Sequence, residues 1–81
     1  MTVWIVTFED EIMGAFRNKE DAYNLIVQDF TESNEPDKES PDYQADKEWF
    51  DRALALLKSE YEEYPSFGCA GLWGAVEVPL N

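Results

Sequence analysis

Val3-Trp4-Ile5-Val6-Thr7-Phe8, then Glu9-Asp10-Glu11, then Ile12-Met13-Gly14-Ala15-Phe16: the reading of this stretch decides the fold. Both apolar runs are too short for helices, and the first is rich in β-branched and aromatic side chains, which fit a pleated surface. The short acidic connection makes them a β-hairpin, although no Asn-Gly or Asp-Gly dipeptide fixes the turn type. The first strand is apolar on both faces, with Val3 and Ile5 on one and Trp4, Val6 and Phe8 on the other. An antiparallel strand with one wet face alternates apolar and polar residues. Both faces of this one therefore need cover. Helices supply one cover. We place Trp4, Val6 and Phe8 on the other face, to be covered by a loop, a second copy or a partner.

Downstream, Asn18 is placed to cap a helix from Lys19 to about Phe30 or Thr31, with Glu20 and Asp21 complementing its dipole. Ala22, Leu25, Ile26 and Phe30 recur at helical spacing and define its buried face. Residues 31–44 hold five acids, two prolines and one large apolar side chain, Tyr43, and read as an exposed, flexible acidic loop. A longer helix starts between Pro41 and Asp46 and ends before Pro65, with Ser40 as its cap. Phe50, Leu54, Leu57, Tyr61 and Tyr64 form its apolar stripe, widened by Trp49, Ala53 and Leu56. Glu48–Arg52 and Lys58–Glu62 stand four apart, the spacing of helical ion pairs. Ser66 to Leu72 is a glycine-containing loop, and Trp73 to Leu80 a third strand in which Pro79 favours an edge position. The expected fold is α+β, in the order β-β-α-α-β. Its three-stranded antiparallel sheet has the order 2-1-3, with both helices on one face.

The chain has 81 residues, 18 acidic and 6 basic side chains and no histidine, for a formal net charge of −12. Its length makes residues 1–81 one domain with a modest core. At 44% hydrophobic and 15% aromatic, it is too apolar for a disordered chain. Cys69 is the only cysteine, so no internal disulfide forms and a reducing compartment is expected. The N-terminus lacks the features of a signal peptide, and no apolar run approaches the ~20 residues that span a bilayer. The acidic balance disfavours anionic membranes and direct contact with nucleic acid, both of which need Lys and Arg.

No catalytic constellation can be assembled. Paired-carboxylate catalysis needs acids held in a pocket with their pKa values pushed apart. Here the acids fall on turns, on a polar helix face and in a proline-containing loop. Cys69 has no histidine to serve as base. Asp37 to Glu48 resembles a calcium loop only in part, since Asp42 stands where the glycine belongs. Zinc has too few ligands. Gly68, Gly71 and Gly74 match neither a P-loop nor a dinucleotide fingerprint. We expect no enzyme activity, no metal and no cofactor.

Gly14-Ala15-Phe16-Arg17-Asn18-Lys19-Glu20-Asp21-Ala22 resembles the "G-V-F-S-S-K-E-K-A" element of small phage, prophage and Gram-positive proteins. In those proteins the element closes a hairpin and starts a helix. Ala15 replaces the usual Val, and Arg17-Asn18 the serine pair. The resemblance covers Trp4 to Ala22 and implies a phage context, a bacterial cytoplasm and a host target. It carries no activity with it. With the charge, it leads to the expectation that carboxylates imitate a nucleic-acid backbone. They would occupy the basic groove of a host nucleic-acid-acting enzyme of restriction, CRISPR or repair type. The candidates are Glu9, Asp10 and Glu11 at the hairpin tip, Glu20 and Asp21 at the first helix, and Asp46, Glu48, Asp51, Glu62 and Glu63 on the second. The alternative is a homodimeric assembly or regulatory module that uses the apolar face around Trp4, Val6 and Phe8.

Overall fold

The computed structural model describes residues 1–80. Its elements are β1 (Thr2–Phe8), β2 (Glu11–Phe16), α1 (Lys19–Asn34), α2 (Tyr43–Glu63), β3 (Phe67–Cys69) and β4 (Trp73–Pro79). The class is α+β, as the sequence indicates, but the sheet has four antiparallel strands in the order β2-β1-β4-β3 rather than three in the order 2-1-3. The added strand, β3, lies inside the stretch read as a glycine loop. It is three residues long and has no propensity signal of its own. Pairing with β4 and burial of Phe67 and Cys69 make it a strand. Pro79 lies opposite Thr2, beyond the reach of β3, where a missing N–H costs the ladder nothing on that side.

Two tight hairpins shape one end of the sheet. Between β1 and β2, Glu9 and Asp10 both take left-handed backbone conformations, with φ of 49° and 68°. A type I′ turn needs this, and its right-handed twist matches the strands it joins. Between β3 and β4, Ala70 and Gly71 do the same, at φ of 55° and 71°, and the Leu72 N–H donates to the Cys69 carbonyl at 3.1 Å. The Glu9 N–H donates to the Leu72 carbonyl at 3.0 Å and ties the two hairpins together. In β2, Met13 is the extra residue of a bulge, because Val6 pairs with Gly14 while Thr7 pairs with Ile12.

Asn18 caps α1 as expected: its Oδ1 accepts the Asp21 N–H at 2.8 Å. The helix runs on to Asn34, so the linker is shorter than the expected 31–44 loop. It folds into turns in which the Asp37 side chain and carbonyl accept the Glu39 and Ser40 amides. Ser40 Oγ accepts the Asp42 N–H in a turn that leads into α2, while the Asp42 side chain makes no cap. The i,i+4 ion pair on α2 is Lys47–Asp51 at 2.7 Å. Neither Glu48–Arg52 nor Lys58–Glu62 closes, since exposed long side chains gain little from pairing and lose rotamer freedom.

Both helices cover the sheet face that carries Trp4, Val6 and Phe8. Trp4 and Val6 are buried and Phe8 is half-buried against the core. The expected outer face is thus the inner one. A strand apolar on both sides does not encode which side the helices take, and here they take the bulkier one. Phe30 of α1, fully buried, stacks on Phe50 of α2 and meets Trp73 edge-on. On α2 only Leu57 is fully buried. Phe50, Leu54 and Tyr61 are half-buried, and Tyr64 lies outside the core. The opposite sheet face is open. Strand pairing puts Val3, Ile5, Ile12, Ala15, Val76 and Val78 on it, and Ile12 is 73% exposed, Val76 48% and Val78 37%.

Candidate functional site

The expected acids gather at two ends of the molecule instead of forming one row. Ring contact of Phe8 with Trp73, and the bond from Trp73 Nε1 to Asp29 Oδ2 at 2.7 Å, place the hairpin tip Glu9-Asp10-Glu11 beside the second half of α1. Asp46, Glu48 and Asp51 ride on the first half of α2, which joins the same end because Phe50 stacks on Phe30. A hollow of about 430 Å³ there is walled by Glu35, Asp37, Asp46 and Trp49.

At the other end, the start of α1 meets the finish of α2. Lys19 Nζ donates to the Tyr61 carbonyl and, at 2.8 Å, to that of Tyr64, and lies 4.9 Å from the Tyr61 ring centre. A cation there satisfies the helix's last carbonyls and complements its dipole. Glu20 and Asp21 belong to the first turn of α1 and Glu62 and Glu63 to the last of α2, the two turns that Lys19 joins. Burial, the Tyr61 hydroxyl and then the Glu62 carboxylate raise the Tyr23 pKa above its ordinary value, which marks Glu62 as a near neighbour of α1. The Lys19 clamp escaped the sequence reading because its partners are main-chain carbonyls forty residues away.

Among the described residues, no charged or polar side chain is buried, and Lys47–Asp51 is the only ion pair. Of the acids named from the sequence, only Asp21 and Asp51 take a side-chain partner, Asn18 and Lys47 respectively. Other carboxylates serve the fold. Asp29 holds Trp73, Glu60 accepts the Gly68 N–H at 3.2 Å on the free edge of β3, and Glu77 accepts from Thr2. Asp37 accepts the Glu39 amide and Glu32 the Gln28 side chain, and the remainder have no hydrogen-bond or ion-pair partner among the described residues.

No protein family, no curated protein and no solved structure matches this chain. The likeness of Gly14–Ala22 to the phage element therefore rests on those residues alone.

No three His, Cys, Asp or Glu side chains among the described residues converge in a way that could hold a metal ion. Cys69 is buried on β3. Burial, then the Glu60 carboxylate, pushes its thiol up to about 11 and keeps it protonated near neutrality. Beside it lies the feature that sequence reasoning undervalued. Of the residues that widen the α2 stripe, Ala53 packs against the edge of the core, while Trp49 and Leu56 stay largely exposed. The three form one wall of a groove of about 520 Å³, and the β3–β4 hairpin forms the other. Trp49 is 48% and Leu56 59% exposed. The signal was present in the sequence as a helix whose apolar arc is wider than one packed face requires.

Proposed function

We propose that this chain binds and inhibits a host nucleic-acid-acting enzyme by presenting carboxylates in place of phosphates. The observation that carries the reading is that the acids sit uncompensated on an elongated body. The Cα envelope is elongated, 52 × 24 × 17 Å, and the chain sets 18 carboxylates against 6 basic side chains, of which only Lys47 closes an ion pair among the described residues. Acids that served solubility alone would need no particular backbone. Glu9 and Asp10 instead occupy two successive left-handed positions where Asn-Gly is the favoured pair. The resemblance of Gly14–Ala22 to a phage element favours a bacterial target, whose basic groove would supply the complementary potential.

The test is capture from bacterial lysate at about 50 and 500 mM salt, followed by competition with duplex DNA. The expected catch is a DNA- or RNA-acting enzyme that is held at low salt, lost at high salt and displaced by excess duplex. A complex that survives both salt and duplex refutes the reading.

The open sheet face favours a second reading, a homodimer. No carboxylate shares the face with Val3, Ile5, Ile12, Val76 and Val78, so two copies can meet there without apposed charges. Self-association of a −12 chain must strengthen with salt, the opposite of the first reading. Sedimentation equilibrium of wild type and Val76→Lys across salt concentrations decides it.

A further inference from the structure

The groove beside α2 has a chemistry of its own. Its walls are Trp49, Ala53 and Leu56 on one side and Cys69, Gly71 and Trp73 on the other, and its volume of about 520 Å³ is within the range of ligand pockets. The polar groups lining it are Arg52 and Glu60, whose charges offset each other. Glu60 is already bonded to the Gly68 N–H, so the groove is near-neutral and apolar. The Trp49 ring packs 5.6 Å from Phe30 and separates the groove from the hollow walled by Glu35, Asp37 and Asp46. One half-exposed indole thus has an apolar slot on one side and three carboxylates on the other. This is the anatomy of a protein contact, an aromatic anchor in an apolar centre with a charged rim, and tryptophan is among the residues that most often dominate such contacts.

We propose that this paired site takes a segment of a partner protein that carries an apolar side chain next to an arginine or lysine. The apolar side chain fills the groove against Leu56 and Ala53. The cation lies over Trp49 and reaches the carboxylates of the hollow, gaining cation–π and ionic attraction together. Charge complementarity selects this occupant. An acidic segment is repelled by the hollow, and a second copy of a −12 chain brings few cations to it. The inference deepens the proposed function by naming where a basic partner is gripped, and it can fail while the carboxylate reading stands.

Trp4 and Trp73 are 7% and 5% exposed, so acrylamide quenching reports on Trp49, and a Trp73→Phe background removes the contribution of the second groove indole to emission shifts. Three short peptides are titrated against the whole protein: one of Arg and Leu, one of Arg and Gly, and one of Glu and Leu. The Arg–Leu peptide is expected to shift the emission to the blue and protect it from acrylamide, with affinity at least tenfold above either of the others. Leu56→Glu, at a side chain exposed enough to leave the fold intact, should lower that affinity at least tenfold. Glu35→Gln/Asp37→Asn/Asp46→Asn should abolish the difference, so that the Arg–Leu and Glu–Leu peptides bind the variant equally. Equal binding of Arg–Leu and Arg–Gly overturns the groove and leaves the carboxylate reading intact. Equal binding of Arg–Leu and Glu–Leu to the wild type overturns the part assigned to the hollow. Absence of any Trp49 response overturns the site outright, whatever the lysate capture shows.

Discussion

Replacing Glu9-Asp10 by Asn-Gly should make the protein more stable. Glu9 and Asp10 hold φ of 49° and 68°. A left-handed conformation costs an ordinary L-residue roughly 1–2 kcal/mol, less for Asp, whose short polar side chain bonds locally. Glycine at position 10 removes its share of that cost but adds ~0.4–1 kcal/mol of unfolded-chain entropy. Asparagine at position 9 recovers part of the penalty borne by Glu. The net backbone gain is about 1 kcal/mol, which for a domain of this size is a rise in Tm of roughly 4–8 °C. The change also removes two negative charges, so Glu9→Gln/Asp10→Asn serves as control. It relieves the same repulsion but keeps a long side chain at position 9. Thermal unfolding followed by near-UV circular dichroism should rank Glu9→Asn/Asp10→Gly above the control, and the control at or slightly above wild type. If the double replacement is no more stable than the control, the turn is not strained, and the case for functional acids at the tip loses its physical basis.

Three further outcomes follow from the packing and the chemistry. Phe30→Ala empties a site enclosed by Trp49, Phe50 and Trp73 and should cost ~3–5 kcal/mol, roughly a quarter or more of the total near 4–12 kcal/mol for a chain of this length; urea denaturation should find its midpoint lowered accordingly, and an unchanged midpoint would contradict the packing. Gly68→Ala puts a Cβ 2.8 Å from the Trp73 carbonyl oxygen, so β3 must shift off β4; loss of amide-exchange protection at Phe67 and Cys69 would show it, and unchanged protection would contradict it. Because the Cys69 thiol is raised from 9.0 to about 11, the unfolded chain sheds that proton first. Its contribution to stability is whole below pH 9 and fades as pH climbs toward 11, so the urea midpoints of wild type and Cys69→Ala should converge over that window; a constant gap would be evidence against it.

The parts of the fold legible in the sequence were those written in local pattern. The hairpin, the Asn18 cap and the registers of α1 and α2 come from side-chain period and capping chemistry, and they are where the residues indicate. The fourth strand was not legible. Phe67-Gly68-Cys69 is extended only because β4 lies beside it and α2 above it, and neither neighbour is encoded in those residues. Nor could Trp4, Val6 and Phe8 be assigned a side, since β1 is apolar on both and the choice belongs to the helices. The acids could be named but not grouped. Which carboxylates share an end depends on α1 and α2 running antiparallel, a relation fixed by Lys19 on main-chain carbonyls and by ring contacts such as Tyr23–Tyr61.

Where the charge sits separates a functional surface from a merely soluble one. Two unit charges 10 Å apart in water repel by about 0.4 kcal/mol before screening, so a dozen unbalanced ones cost an amount comparable to the whole stability of a small domain. The fold lowers this cost where it easily can. Charge is absent from the core and from the open sheet face, and Asp29 and Glu60 are turned into internal hydrogen-bond acceptors. It does not lower it at the hairpin tip, where carboxylates coincide with unfavourable backbone. Along α2 it lowers it by ion pairing only at Lys47–Asp51, while Arg52 stands four residues from Glu48 without pairing and instead edges the groove. A surface shaped only by solubility would be free to put glycine in that turn and would have no use for a half-exposed tryptophan between an apolar slot and three acids. Repulsion retained at those points, beside apolar surface left bare, fits the proposed binding face for a basic partner.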